Sequence, residues 1–174
     1  LRLRRADTPV LSVLSLDSKG VKNVAFVGIA DRQAGLFVLF LHYIDPHDPY
    51  FEHPYNGVGI ARVSMPEPEP EMQARLQSLY RGEIEYLDEQ VGALPATLDA
   101  DGLYDNTGIA LTADHGEEFN EHGGFGHGTT LYDEQVHVPL LVKLPQSRRG
   151  GTVVRHWVQS IDLMPTVLKL FEAP

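Results

Sequence analysis

Cysteine is absent from this 174-residue chain, and basic residues are scarce. Without cysteine there is no disulfide, so disulfides give no evidence about the compartment in which the protein works. The 14 lysines and arginines are outnumbered by 24 acidic residues, which gives a formal net charge of −10 and an isoelectric point near 5.1. A nucleic acid would be repelled, and no basic stripe is present beyond a small amino-terminal arginine cluster. The composition therefore argues against a nucleic-acid partner.

Long apolar runs are missing as well. No stretch reaches the roughly 20 apolar residues that a membrane-spanning helix needs, and no signal peptide is visible. A hydrophobic content of 43% is nevertheless enough for one core. We therefore expect a single domain over residues 1–174.

The most informative segment runs from residue 112 to 128 and combines histidines, acidic side chains and glycines. Asp114 and His115 follow a short apolar run, 107–112, which predicts a buried strand of a parallel sheet. Ligands of open α/β sheets bind past the carboxyl ends of the strands, and a carboxylate beside an imidazole suits a divalent cation. A polar, glycine-rich connection with solvated histidines is the alternative. We therefore expect a loop-borne metal site, because the histidine spacing matches no zinc-protease or zinc-finger pattern.

A second segment repeats this arrangement upstream. The apolar run 36–43 predicts a fully buried strand, and it leads directly into the polar loop 45–50. Pro46 and Pro49 flank His47 and restrict the backbone, so His47 is presented on a loop with little freedom. The sequence predicts either a substrate contact at His47 or a simple proline-rich turn.

Seven segments carry a resemblance to a known family, in the same order along the chain: 45–50, 80–92, 102–107, 112–117, 126–134, 137–140 and 161–166. Together they resemble the sulfatase family of the alkaline phosphatase superfamily, from about Leu36 to Leu170. The resemblance implies an α/β fold with a mostly parallel sheet flanked by helices, alkaline-phosphatase-like and incomplete. It also implies the hydrolysis of a small-molecule or carbohydrate sulfate ester, in a periplasmic or secreted setting.

The same resemblance assigns roles to four residues. Asp114 and His115 match the ligands of the active-site cation, which is calcium in many sulfatases and manganese or zinc in related phosphoesterases. Imidazole favours transition metals and calcium prefers oxygen, so only the family pattern favours calcium here. His127 and His47 match residues that contact the sulfuryl oxygens and could protonate a leaving group.

The family's nucleophile is a formylglycine made from cysteine or serine in a Cys/Ser-x-Pro-x-Arg motif, and this chain does not contain that motif. The nearest approach begins at Ser64, lacks the arginine and lies downstream of the His47 loop. The resemblance therefore implies the central part of a sulfatase catalytic domain, inactive by itself. Two alternatives stay open: a phosphoester or phosphonate hydrolase of the same superfamily, favoured by His115, and a noncatalytic metal- or anion-binding remnant.

Secondary structure is predicted around these motifs. A helix is expected from Pro70 to Leu94, ended by Pro95, and another that begins with Asp162 as its cap. Strands are expected at 138–143 and 152–157, whereas family order favours a helix over 21–33. Glu117 and Glu118 either orient His115 or lie in the first turn of a helix, where its dipole stabilises them; we favour the second.

Overall fold

A computed structural model describes the backbone of residues 12–16, 24–31, 36–61 and 67–170, and the side chains from residue 38 onward within those ranges. Two compact units divide the chain, Leu1–Leu94 and Pro95–Pro174. The single domain expected from length and composition stays a prediction. Ser64, the rejected nucleophile candidate, lies outside the described residues.

The first unit contains a three-stranded antiparallel sheet, with β1 (Ser12–Leu16), β2 (Val24–Asp31) and β3 (Leu36–Tyr43) in that order. Residues 32–35 join β2 to β3, and a parallel pair would need a crossover of about a dozen residues or more. The helix expected over 21–33 is wrong at residues 24–31, because these form a strand that is paired along its whole length with β3; the rest of that range lies outside the described residues.

The bounds predicted for β3 are confirmed, but its predicted full burial is wrong. Val38 and Phe40 are 47% and 59% exposed, because the described part of the chain leaves them uncovered. An apolar run indicates that a strand forms; it does not indicate which segment covers the strand.

A short hairpin and a long helix follow β3. The hairpin pairs β4 (Tyr50–Phe51) with β5 (Gly59–Ile60), and the helix α1 spans Pro70–Ala100. Pro95 was expected to end this helix, and that prediction is wrong. Proline removes one N–H from the helical ladder, and the helix continues until Gly102 adopts a φ of +68° and the Leu103 amide donates to the Leu98 carbonyl at 2.8 Å.

In the second unit, β6 (Ile109–Thr112) pairs with β9 (Leu140–Lys143), and β7 (Glu118–Phe119) pairs with β8 (Phe125–Gly126). Both pairs are antiparallel, as are all the strand pairs described. The mostly parallel sheet expected from the apolar runs is therefore not formed by these strands. Periodicity does not encode strand direction, which depends on the neighbouring strand.

Two short helices complete the second unit, α2 (Asp133–Val136) and α3 (Leu163–Leu170). The strand predicted over 138–143 is confirmed as β9, and the helix after Asp162 is confirmed as α3. The Asp162 carboxylate accepts the amide of Gln159 at 2.9 Å, in the 3₁₀ turn that precedes α3. The strand expected over 152–157 is wrong: this segment has no ladder partner and its side chains are exposed.

Within the described ranges, no helix combines the length and the apolar character that a bilayer span demands.

Burial on α1 gives a test of the packing in the first unit. Leu76 is completely buried, so replacing Leu76 with Ala removes apolar contacts and leaves a cavity. We expect Leu76→Ala to lower the free energy of unfolding by about 2–5 kcal/mol, measured by chemical denaturation. Ile84 is 42% exposed on the same helix, and Ile84→Ala is the matched control with a clearly smaller loss. Equal losses in the two variants would contradict this packing.

Candidate functional site

The loop after β6 presents Asp114 and His115 side by side. The Nδ1 atom of His115 lies 2.8 Å from the Gly116 carbonyl oxygen, so Nδ1 carries the proton and Nε2 presents a lone pair. That Nε2 lies 3.9 Å from Oδ1 of Asp114. Two ligands that share one divalent cation are typically about 3–4 Å apart, since each lies about 2.0–2.6 Å from the ion. The spacing therefore fits shared ligation.

Asp114 and His115 are the two metal-ligand candidates that the described residues supply at this loop. Across 38–61 and 67–170, no three side chains of metal-ligating type are grouped so that they could hold an ion. Asp114 is 80% exposed, so its carboxylate keeps its water in this arrangement. A cation here would need further ligands in addition to Asp114 and His115.

His127 lies against the same pair. Its ring stacks on the ring of His115, with the centroids 3.6 Å apart and the planes 23° apart. Its Nδ1 atom lies 3.0 Å from Oε1 of Glu117, whose side chain is only 4% exposed. The buried carboxylate therefore fixes the orientation of the His127 ring, and Nε2 is the nitrogen directed away from Glu117.

Glu118 stabilises this loop through the hydrogen bonds that its buried carboxylate accepts. Its buried carboxylate accepts hydrogen bonds from the side chain of Gln135 at 2.8 Å and from the amides of Gly124 at 3.1 Å and His122 at 3.2 Å. Burial alone raises the pKa of Glu118, but these hydrogen bonds and the nearby His122 outweigh it and hold the pKa below the ordinary 4.5. Glu118 is therefore a charged structural residue.

Gly116 allows this loop to approach α2 closely. Its amide donates to the Gln135 carbonyl at 2.8 Å, and a Cβ added at Gly116 would lie 2.1 Å from the carbonyl oxygen of Glu134. No side chain fits in that space, because the obstructing atom belongs to the backbone. The glycine between His115 and Glu117 is thus required for packing.

A second histidine–carboxylate pair lies at the edge of the loop. Nε2 of His122 is 3.1 Å from Oε2 of Glu134, and the His122 ring stacks on Tyr132 with centroids 3.7 Å apart. His122 is partly exposed. Its contacts connect the β7–β8 hairpin to α2, which stabilises the loop without placing His122 beside Asp114.

Glu117 and Glu118 correct one sequence interpretation. No helix begins at these residues: Glu118 starts β7, so stabilisation by a helix dipole is wrong. Glu117 does orient a histidine, but that histidine is His127 and not His115. No pattern in the sequence could have indicated this pair, because the β7–β8 hairpin brings together residues ten positions apart. Gln135, the partner of Glu118, was missed for the same reason.

His47 lies in the first unit, on a tight turn after β3. Its amide donates to the Ile44 carbonyl at 3.0 Å, and its Nδ1 lies 2.6 Å from the Asp48 carbonyl oxygen. The structure thus brings Asp114, His115 and His127 together in the second unit, whereas His47 belongs to the first.

A buried acidic residue, Asp45, lies two residues before His47. Asp45 is buried, and its carboxylate adds to the effect of burial in raising the pKa of Tyr43. The pKa of Tyr86 is raised as well. Burial is the largest cause, and the negative charges of Asp45, Glu89 and Glu83 add to it. Both tyrosines therefore stay neutral phenols at ordinary pH.

Comparison with known proteins decides the family. The sequence model described as Sulfatase matches residues 21–173. The chain belongs to the sulfatase family. The predicted resemblance is thereby confirmed, and it brings with it the alkaline-phosphatase-like α/β fold of this family at the level of fold class. Sulfatases generally use a divalent metal ion, typically calcium.

Curated relatives agree with this assignment. The chain is 33% identical over 144 residues to the multifunctional alkaline phosphatase superfamily protein PehA of Trinickia caryophylli, which covers 80% of this chain and 26% of the relative. It is 31% identical over 147 residues to steryl-sulfatase of Rattus norvegicus, covering 77% of this chain and 23% of the relative. Human iduronate 2-sulfatase is 37% identical over 75 residues, covering 43% and 14% respectively. The sulfatase chain described here thus spans about a quarter or less of the length of these relatives.

Acid sensitivity provides a test of the Glu118 network in this sulfatase. The lowered pKa of Glu118 means that its stabilising effect is fully present above the ordinary value of 4.5 and is lost as the pH falls through the lower folded-state value. We expect Glu118→Gln to lower Tm at pH 7, with a gap from wild type that closes as the pH falls below 4.5.

The control is Asp101→Asn, which changes an exposed carboxylate in the turn after α1 and should shift Tm little at any pH. A Tm gap between wild type and Glu118→Gln that stays constant from pH 7 to pH 3 would contradict a charged, hydrogen-bonded Glu118.

Proposed function

We propose that the complete protein hydrolyses sulfate esters, with the loop after β6 as the centre of its active site. The observation that carries this proposal is the stacking of His127 on His115 at 3.6 Å, beside Asp114. It supports the proposal because His127, which resembles the family's anion contact, stacks on a member of the pair that resembles its metal ligands. Such an arrangement suits a tetrahedral anion held between a cation and an imidazole.

Asp114 and His115 would hold the cation. The lone pair on Nε2 of His115 and the exposed carboxylate of Asp114 provide one nitrogen and one oxygen donor. Calcium is the ion that the family favours, and the imidazole also suits manganese or zinc. When bound, a divalent cation supplies electrostatic stabilisation to the negative charge on the transferred group.

His127 and His47 would contact the transferred group. Glu117 accepts a hydrogen bond from Nδ1–H of His127, so a doubly protonated His127 would carry its second proton at Nε2. That proton can be donated in a hydrogen bond to a sulfuryl oxygen or transferred to the leaving oxygen. Nδ1 of His47 lies 2.6 Å from the Asp48 carbonyl oxygen, so Nε2 is the nitrogen that would contact the sulfate group.

The nucleophile would be a formylglycine in a part of the polypeptide that this chain does not include, because Cys/Ser-x-Pro-x-Arg is not among its 174 residues. The relative named iduronate 2-sulfatase supports a carbohydrate sulfate ester as the substrate, and the relative named steryl-sulfatase supports a small-molecule sulfate ester. We also propose that β6 belongs to a mostly parallel sheet in the complete catalytic domain.

Hydrolysis of phosphate or phosphonate esters is the second candidate. The imidazole at position 115 supports it, because nitrogen ligands favour transition metals over calcium. A relative that is named a multifunctional alkaline phosphatase superfamily protein also supports it. The third candidate is a noncatalytic metal- or anion-binding protein, which would bind a cation at Asp114 and His115 and hydrolyse no ester.

One experiment separates the three. The protein is expressed from its full reading frame with a formylglycine-generating enzyme, and is assayed on an aryl sulfate, an aryl phosphate and an aryl phosphonate that share one leaving group. We expect the highest kcat/KM for the sulfate. A preference for either phosphorus ester would establish the second candidate, and retained metal binding without turnover of any ester would establish the third.

The metal assignment has its own test. Because Asp114 is 80% exposed and the hydrogen bond that its carboxylate accepts from the His115 amide is local, Asp114→Ala should abolish cation binding while leaving Tm of the metal-free protein nearly unchanged. Calorimetric titration with Ca²⁺, Mn²⁺ and Zn²⁺ measures the first effect. Asp101→Ala is the matched exposed control and should bind as wild type does. Equal metal affinity in wild type and Asp114→Ala would refute the assignment.

A further inference from the structure

The loop that carries His47 is attached to α1 through a buried carboxylate. Glu83 is completely buried, and its two oxygens make separate contacts with the loop: Oε1 accepts the Phe51 amide at 2.7 Å, and Oε2 lies 2.7 Å from Nε2 of His53. One side chain therefore fixes both the backbone at Phe51 and the side chain of His53. A charged acceptor makes such hydrogen bonds short and strong.

Aromatic contacts from the same helix surround this attachment. Tyr80 packs edge-on against the buried Tyr50 with ring centroids 5.5 Å apart, and Tyr86 stacks on His53 at 4.2 Å with the planes 9° apart. Residues 80, 83 and 86 are three apart and lie along one side of α1, so the helix presents a continuous surface to the loop. Glu83 lies at the centre of that surface.

His47 lies midway between two fixed points. Tyr43, four residues before it, is paired with Val24 in the sheet, and Phe51, four residues after it, is held by Glu83. Between these points, Pro46 and Pro49 restrict the backbone and the His47 amide closes a turn onto Ile44. Glu83 therefore holds the carboxyl-terminal end of the His47 loop at Phe51.

We infer that Glu83 is a positioning residue for the anion site, acting through His47 and the loop that His53 and Phe51 attach to α1. This inference rests on the proposed contact between His47 and the sulfate group. According to this inference, Glu83 contributes to the affinity for the anion although it does not contact the substrate. Misplacing a contact group by about 1 Å can cost up to about a hundredfold in activity, so loosening this attachment should be measurable.

A double-mutant cycle tests the inference. Binding of inorganic sulfate to the metal-loaded, full-length protein is measured by calorimetry for wild type, Glu83→Gln, His47→Ala and the double variant. Glutamine keeps the size of Glu83 but loses the charge and one acceptor. We expect Glu83→Gln to raise the Kd of sulfate by about tenfold, and to add less than about twofold in the His47→Ala background. Glu85→Gln, an exposed glutamate on the same helix, should leave the Kd unchanged.

A merely structural role predicts a different result, because general loosening would raise the Kd by the same factor in both backgrounds. Additive losses, an unchanged Kd in Glu83→Gln, or no sulfate binding by wild type would each overturn the inference. If circular dichroism shows that Glu83→Gln does not fold, His53→Ala is used instead, because it removes one of the two attachments and keeps the hydrogen bond to the Phe51 amide. We expect His53→Ala to raise the Kd of sulfate severalfold, and only when His47 is present.

The same measurements separate this inference from the proposed function. Sulfate binding needs no nucleophile, so a wild-type protein that binds sulfate but hydrolyses no sulfate ester would refute the hydrolase proposal and still allow the cycle to be read. Conversely, active wild-type enzyme with additive losses in the cycle would refute the role of Glu83 and leave the hydrolase proposal intact.

Discussion

The loop that carries Asp114, His115 and His127 is folded around the buried carboxylate of Glu118. Strands of two residues, such as β7 and β8, contribute few ladder bonds and cannot hold a long loop by themselves. Glu118 compensates by accepting two backbone amides within the loop and the side chain of Gln135 on α2. Because the carboxylate is fully hydrogen-bonded, its burial does not leave an unpaired charge. The Glu118 carboxylate therefore stabilises the loop in which the His127 ring stacks on the His115 ring.

A carboxylate has a similar part in the first unit. Glu83 accepts a hydrogen bond from the Phe51 amide and contacts Nε2 of His53, both in the loop after β3. Glu118 likewise accepts hydrogen bonds from amides in the loop after β6. In both places an irregular segment follows a strand and carries a histidine that matches an anion contact of the family. Irregular segments lack ladder partners for their amides, and a buried carboxylate supplies acceptors at positions that a ladder cannot reach. Two unrelated segments thus use the same physical solution.

The sequence predicted which candidate residues of the second unit lie together better than it predicted the structure around them. Asp114, His115 and His127 could be found because they are close in sequence, are unusual in composition and follow an apolar strand. The bounds of β3 followed from periodicity and the position of α3 from local signals, whereas β9 begins at Leu140, two residues later than predicted. What depends on distant partners could not be predicted: the antiparallel neighbours of β3 and β6, the exposure of Val38 and Phe40, and the pairing of Glu117 with His127. Pro95 shows a related limit, since local preference for ending a helix was outweighed by the residues that continue α1.

Burial separates the carboxylates that stabilise the fold from the one that would hold a cation. Glu83, Glu117 and Glu118 are almost completely buried, and each is paired with a histidine, an amide or both. Removing any of these charges leaves a buried hydrogen-bond donor without its acceptor, so folding depends on these three carboxylates. Asp114 is 80% exposed and keeps its hydration, and its contact with the His115 amide is local. The fold gains little from placing a charge there, beside a histidine whose Nε2 lone pair faces the same region. An acidic residue that the fold does not need, held next to a nitrogen donor, is what a cation-binding position requires.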